Sequence, residues 1–170
     1  MPSLYDLSVP VYITALQNLL TVLQKGEEWA NQKKISPDTL VEARLIADML
    51  PLKFQIQAAS NTSKAVLTRL AGQDNVSMAD DETTYAQLRE RVEKTVQALQ
   101  GARRENFEGK DDQKVTFKAG PHQLQFTGVT YLQRFGLPNF FFHVITAYDI
   151  LRKEGVPVGK FDFLGSGMTA

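Results

Sequence analysis

Apolar residues recur every three or four positions over several long stretches of the chain, and this spacing limits the possible folds more than any other feature. Because an α-helix turns once every 3.6 residues, each stretch predicts a helix with one continuous apolar stripe. Such helices are stable in water mainly when the stripes are buried against one another. The clearest example begins the chain and consists of Leu4, Leu7, Val11, Ala15, Leu19, Val22 and Leu23.

The first two predicted helices cover the first 70 residues. The first spans Leu4 to Lys25, with Gly26 near its end. For the second, Ser36 and Pro37 supply an N-cap and a first-position proline. This helical run continues to Leu70 and stops at Gly72, with a bend or break at Pro51, because proline lacks a backbone donor.

Two further helices are predicted in the second half of the chain. One spans Tyr85 to Ala102, and Thr84 with Gln87 forms a capping box at its start. The last spans Asn139 to Lys153 and ends at Gly155, which favours a left-handed cap. Asn139 follows Pro138 and is itself a candidate N-cap.

Between these helices the apolar period changes from about four residues to two. The alternation from Lys114 to Phe126, interrupted by Ala119-Gly120-Pro121, predicts a short β-hairpin. A helical turn is predicted over 130–135. The tail from Val156 to Ala170 is glycine-rich and predicted to be irregular, with Phe161 and Phe163 docking it on the body of the protein.

Four amphipathic helices and one hairpin predict a mainly all-α fold. Each helix has one stripe to bury, which is the requirement of an antiparallel four-helix bundle. The chain has 170 residues and neither repeats nor low-complexity linkers, so we expect a single domain over 1–170.

Composition narrows the possible functions. The 19 basic and 19 acidic residues balance, so nothing favours nucleic acid or an anionic membrane as a partner. The absence of cysteine excludes disulfides and thiolate nucleophiles. Asp6, Pro10 and Gln17 interrupt the N-terminal apolar stretch, which predicts neither a signal peptide nor a membrane span. We therefore expect a cytoplasmic protein whose partner is a small molecule or another protein.

The candidate site centres on one of the two histidines of the chain, His143. Asn139 lies four residues before it and thus on the same face of the last helix. His143 is a candidate proton carrier, because an imidazole titrates near neutral pH. Asp48 on the second helical run is a candidate to orient or charge-balance it, and Gln55 and Asn139 are candidates to bind a ligand oxygen.

Each candidate also has a purely structural interpretation. His143 could be a partly buried residue bonded to an oxygen, and Asp48 could pair with Arg44 on the helix surface. His122 is expected to be a turn residue. The run Phe140 to Phe142 is expected to serve the core or a dimer surface. Neither a phosphate loop nor a serine nucleophile motif is present.

Three segments together resemble the domain of unknown function 1993 family. The first reads RLIADMLPLKFQIQ over residues 44–57, the second LAG over 70–72, and the third PNFFFHVITAYDILRKEGVPVGKFDFLG over 138–165. That family is similar to the DinB-like four-helix bundles. The resemblance implies the same bundle, commonly paired as a homodimer. Many DinB-like proteins hold a divalent metal with three histidines and act as thiol transferases, hydrolases or isomerases.

The sequence departs from the metal-binding pattern of those relatives. They place two histidines four apart on the last helix and a third on the second helix. This chain has Asn139 and His143 at the first two positions and no histidine on the second helix. One imidazole ligand, even with an amide oxygen from Gln55 or a carboxylate oxygen from Asp48 as further ligands, makes a weak metal site. We therefore expect no cofactor, with a divalent metal at His143 as the alternative.

Two functional hypotheses are close in weight. The first is an enzyme in which His143 carries a proton on a small, partly apolar molecule, as an isomerase or lyase does. The second is a bundle that has lost its metal site and binds ligands or pairs with itself without chemistry. A divalent-metal hydrolase or transferase is the third possibility.

Overall fold

The computed structural model describes residues 2–165 and is mainly helical. Its helices are α1 (Val9–Gln32), α2 (Leu52–Arg69), α3 (Tyr85–Gln100), α4 (Gly128–Tyr131), α5 (Leu137–Glu154) and α6 (Lys160–Leu164). Two strands, β1 (Val115–Ala119) and β2 (His122–Phe126), form an antiparallel hairpin before α4. Single turns of 3-10 helix occur at Pro37–Leu40 and Arg104–Phe107.

The four long helices form the predicted bundle. Helix α1 packs on α3 and α5, and α2 packs on the same two helices. Helices α1 and α3 are antiparallel, since Tyr85 at the start of α3 donates to the carbonyl of Leu23 in α1 and Arg104, after α3, pairs with Asp6, before α1. Helices α2 and α5 are antiparallel as well, since Gln55 bonds to His143, whereas Thr62, further along α2, bonds to the earlier residue Asn139. The core between them is filled mainly by aliphatic residues and includes Leu16, Leu19, Leu52, Ile56, Leu88, Val92, Phe140 and Ile150.

The prediction of helix from Pro37 to Leu50 is wrong, although the predicted break at Pro51 is confirmed. After one 3-10 turn the chain folds back on itself, and the carbonyls of Val41 and Ala43 accept from the backbone of Lys53 and Leu52. Because these two carbonyls are already bonded, they cannot accept from the backbone N–H groups four residues later, as an α-helix requires. Apolar residues spaced like a helix instead anchor a loop in front of α2.

Helix α1 begins five residues later and ends seven residues later than predicted. Residues 4–7 form turns, and the helix continues past Gly26 to Gln32. Gly26 does not end the helix but lets another chain segment approach it. A Cβ there would lie 2.2 Å from the Tyr85 hydroxyl, so the missing side chain lets α3 pack closely on α1.

Helix α3 and the hairpin agree with their predictions. Thr84 and Gln87 form the predicted capping box, and Phe117 pairs with Leu124 across the hairpin. The hairpin packs its aromatic face on the end of α2, where the guanidinium of Arg69 lies 3.6 Å from the centre of the Phe117 ring.

Helix α5 continues directly from two shorter helical segments that precede it. The predicted turn near 130–135 is α4 followed by a π-helical turn at Leu132–Gly136, which leads without a break into α5. Asn139 therefore lies inside continuous helix, and its predicted N-cap role is wrong. At the other end Gly155 adopts φ 101° and forms the predicted left-handed cap.

The tail after Gly155 is more ordered than predicted as far as the structure describes it. Val156 and Val158 are buried, and α6 lies against α1, where Lys25 pairs with Asp162 at 2.6 Å. Phe163 packs on the core as predicted, whereas Phe161 is 78% exposed. Residues 166–170 lie outside the described residues.

No helix within residues 2–165 combines the length and apolar character needed to cross a bilayer.

Candidate functional site

His143 is held by a two-step hydrogen-bond relay between α5 and α2. Its Nδ1 lies 2.8 Å from Oε1 of Gln55, and Nε2 of Gln55 donates to the carbonyl of Leu50 at 2.9 Å. Gln55 is only 2% exposed. A buried amide with both ends bonded has one orientation, so it fixes the imidazole that it holds.

The relay also decides which ring nitrogen carries the proton. The Leu50 carbonyl can only accept, so the amide nitrogen of Gln55 must face it and the amide oxygen must face His143. An amide oxygen accepts, and Nδ1 of His143 is therefore the donor. Within residues 2–165 no protein group bonds to Nε2, which is left as a free acceptor.

Burial keeps this imidazole neutral. His143 is half-buried, and desolvation lowers its pKa below the usual 6.5, because burial disfavours the charged form. Gln55 offers an amide rather than a carboxylate and so adds no opposing charge. At pH 7 the side chain is a neutral base with one directed lone pair.

Two phenylalanine side chains flank the imidazole. Phe54 and Phe142 both approach it edge-to-face, with ring centroids 5.9 and 5.3 Å from that of His143. These two side chains form the apolar rim of the site and are 38% and 56% exposed. Neighbouring exposed apolar side chains of this size are typical of a binding surface.

Asn139 lies on the α2-facing side of α5, one turn before His143. Its Nδ2 donates to Oγ1 of Thr62 at 2.8 Å. This bond ties α5 to α2 below the imidazole and occupies one amide hydrogen. Asn139 and His143 thus both meet α2, as their spacing predicted, but they bond to different partners.

Asp48 does not join the other candidates. It lies exposed in the turn before α2 rather than on a helix, and within residues 2–165 no hydrogen bond or ion pair connects it to His143. Its interpretation as the partner of Arg44 also fails, because Arg44 donates to the carbonyl of Met49 instead. The prediction depended on a helix from Pro37 to Leu50 that does not form.

The residues at this site do not fit a divalent metal. The two positions on α5 hold one imidazole and one amide, and that amide is bonded to Thr62. Gln55 uses its oxygen on His143 and its nitrogen on Leu50. In the described part of the chain no three His, Asp or Glu side chains are grouped as metal ligands would be. Among these residues, Nε2 of His143 and Oδ1 of Asn139 are the atoms left to coordinate an ion, and one imidazole with one amide oxygen does not hold a zinc-like ion.

Sequence reasoning missed two parts of the site. Phe54 and the carbonyl of Leu50 gave no signal of their own, since one is an exposed aromatic residue and the other is a backbone group. The other histidine, His122, is predicted to be a turn residue; it is exposed but is the first residue of β2, paired with Ala119, directly after the turn.

Fold and site together define a DinB-like helical bundle with one imidazole in place of the three that hold metal in many such proteins. The model of the family described as "Domain of unknown function (DUF1993)" matches residues 4–164, and the chain belongs to that family. The resemblance seen in the sequence is thereby confirmed.

A solved structure supports the same assignment. The crystal structure of a DinB family member protein from Shewanella denitrificans is 35% identical to this chain, with a TM-score of 0.87. The match covers 98% of this chain and 94% of that one. No curated protein matches the chain.

Proposed function

We propose that this protein is a small-molecule enzyme in which His143 acts as a general base through Nε2. The observation that carries the proposal is the relay from Leu50 through Gln55 to Nδ1 of His143. It leaves the opposite nitrogen unprotonated and fixed in direction. A base of this kind needs little tuning to work at neutral pH.

The reaction class follows from the groups beside the imidazole. Nε2 takes a proton from a carbon of the substrate. It returns the proton either to another carbon, which is an isomerisation, or to the oxygen that leaves with the electron pair of the broken C–O bond, which is the elimination of a lyase. The apolar rim suits a small molecule with an apolar body. Gln55 acts through the imidazole rather than on the substrate, so it is a positioning residue.

Hydrogen exchange in deuterated water tests this chemistry. A panel of small apolar ketones and aldehydes is incubated with the protein, and loss of the proton signal next to the carbonyl is followed by NMR. We expect His143→Ala to abolish the exchange. His122→Ala is the matched control and should exchange like the unchanged protein. Equal exchange with all three proteins would contradict the proposal.

The apolar rim also favours a second candidate, a homodimer that binds partners without chemistry. Phe142 is 56% exposed on α5, and a second copy could cover it. Sedimentation of the unchanged protein and of Phe142→Lys tests this. A dimer that dissociates in Phe142→Lys, together with no proton exchange by either protein, would favour the second candidate over the first.

A further inference from the structure

A cavity lies on another part of α2, between its C-terminal half and the irregular segment 72–84. It has a volume of about 440 Å³. Lys64, which lines it, follows Gln55 by nine residues, which is roughly 13 Å along the helix axis and half a turn around it. The cavity is therefore separate from the His143 site.

Among residues 2–165, every charged side chain that lines this cavity is positive. Lys64 and Arg69 contribute two cations, and no carboxylate belongs to the lining among residues 2–165. Thr68, Asn75 and Ser77 add side-chain donors, none of which has a hydrogen-bond partner in the described part of the chain. The neighbouring cavity beside α3 differs, because Asp81, Glu82 and Glu90 line it together with basic residues.

Lys64 is buried and incompletely bonded. Only 6% of the residue is exposed, and its Nζ donates to the carbonyl of Val76 at 2.6 Å. An ammonium group has three donors, so two are left. Burial and the charge of Arg91 lower the pKa of Lys64, and Asp80 and Glu82 oppose that shift more weakly.

The nearest acidic groups are already engaged elsewhere. The guanidinium of Arg91 pairs with Asp80 and Glu82 at 2.7 Å each, and Asn61 donates to Asp80 as well. The two carboxylates carry one charge more than Arg91 and so also act on Lys64 at a distance, but neither bonds to its Nζ. Lys64 is left with a backbone carbonyl as its only bonded acceptor within residues 2–165.

Arg69 is the second cation and is held rigidly. Its guanidinium stacks 3.6 Å from the centre of the Phe117 ring, and Nη1 donates to the hydroxyl of Tyr131 at 3.1 Å. No carboxylate pairs with it in the described part of the chain. A stacked guanidinium has a fixed plane and keeps free edge donors, which match the two oxygens of a carboxylate or phosphate.

We propose that this cavity binds a small molecule through a carboxylate or phosphate group, with Lys64 and Arg69 supplying the charge. Thr68 and Ser77 are placed to donate to the remaining oxygens. An anion would give the buried ammonium of Lys64 a directly bonded negative acceptor, which no carboxylate within residues 2–165 provides.

Titration with inorganic phosphate and with acetate at constant ionic strength set with chloride tests the proposal. Binding is followed by NMR of the lysine ε-methylene groups and, in the variants as well, of the backbone amides of residues 64–77. We expect saturable shifts of the Lys64 signal with at least one of the two anions. Lys64→Met should weaken binding by about tenfold or more, as loss of a charge-assisted hydrogen bond does. Saturation by phosphate alone or by acetate alone identifies the group that is bound.

Two variants keep the test decisive. Lys94→Met removes an exposed lysine from the neighbouring cavity, where it pairs with Glu90, and should bind like the unchanged protein. Thr68→Glu brings a carboxylate to the exposed edge of the cavity without disturbing a buried group and should weaken binding as strongly as Lys64→Met. The proposal is overturned if neither anion shifts the Lys64 signal saturably, or if Thr68→Glu binds as well as the unchanged protein.

Discussion

Gln55 and His143 are joined by a hydrogen bond of 2.8 Å between Oε1 and Nδ1, and this bond sets both the tautomer and the direction of the imidazole. The amide is neutral, so it orients the ring without favouring its protonated form. Many histidines that serve as bases are paired with a carboxylate, which does favour the protonated form. A glutamine at position 55 is therefore consistent with a His143 imidazole that stays neutral.

Replacing Gln55 by Glu should therefore raise the pKa of His143 above its value in the unchanged protein. A carboxylate at this distance stabilises the imidazolium, and the new side chain also loses its donor to the Leu50 carbonyl. An NMR titration of the imidazole signals measures the change. Asp48→Asn is the control, because Asp48 is exposed and not bonded to His143; it should leave that pKa unchanged. A pKa that falls or stays constant in Gln55→Glu would show that the two side chains do not interact.

The lowered pKa of His143 predicts how stability depends on pH. Folding favours the neutral ring, so between the folded pKa and the unfolded value near 6.5 the unfolded chain binds more protons. The free energy of unfolding should thus be highest above pH 6.5 and fall as pH drops through this window toward the folded pKa. Urea unfolding from pH 8 to pH 5 measures it.

The comparison that isolates this effect uses His143→Phe, which has no titrating group. The difference in unfolding free energy between the unchanged protein and His143→Phe should shift with pH in that window. A pH-independent difference for His143→Phe would mean that burial does not perturb the imidazole.

Arg91 is the most costly charged residue to remove. Its side chain is only 2% exposed and bonds to Glu82, Asp80, Asn61 and the carbonyl of Ala79. Arg91→Met leaves Glu82, at 10% side-chain exposure, without its cation. We expect a loss of about 3 kcal/mol in unfolding free energy, as is usual when one partner of a buried pair is removed. Lys94→Met breaks an exposed pair and should cost less than about 0.5 kcal/mol.

Gly155 and Gly101 both follow long helices but differ in backbone conformation. Gly155 has φ 101°, in the left-handed region, whereas Gly101 has φ −76°. Gly155→Ala should therefore cost about 1–2 kcal/mol. Gly101→Ala should be neutral or stabilise by up to about 1 kcal/mol, because it restricts the unfolded chain. Thermal unfolding of the two variants measures both effects, and equal midpoints would contradict the assigned cap.

The bundle could be predicted from the sequence because local signals agreed with long-range packing. The apolar stripe of α3, the capping box at Thr84 and the period-two hairpin each identify their element without outside information. The segment from Pro37 to Leu50 failed for the opposite reason. Its apolar spacing is helical, but the backbone of Leu52 and Lys53 takes the carbonyls that a helix would need.

The candidate site was only partly predictable, because local spacing determines which residues share a helix face but not which residues of another helix they contact. The helical face shared by Asn139 and His143 follows from their spacing, and both do meet α2. Their partners depend on how α2 and α5 pack. No local pattern shows that Gln55 bonds to His143, that Thr62 bonds to Asn139, or that Asp48 lies in a loop.

The most direct test of the account is a long-range ¹⁵N–¹H correlation spectrum of the histidine side chains at pH 7. With only two histidines, the chain gives two sets of signals, and His143→Ala assigns them. We predict that His143 is neutral, with the proton on Nδ1 and an unprotonated Nε2, and that its pKa lies below 6.5. A proton on Nε2, or a ring that is charged at pH 7, would contradict the role of His143 as an oriented general base.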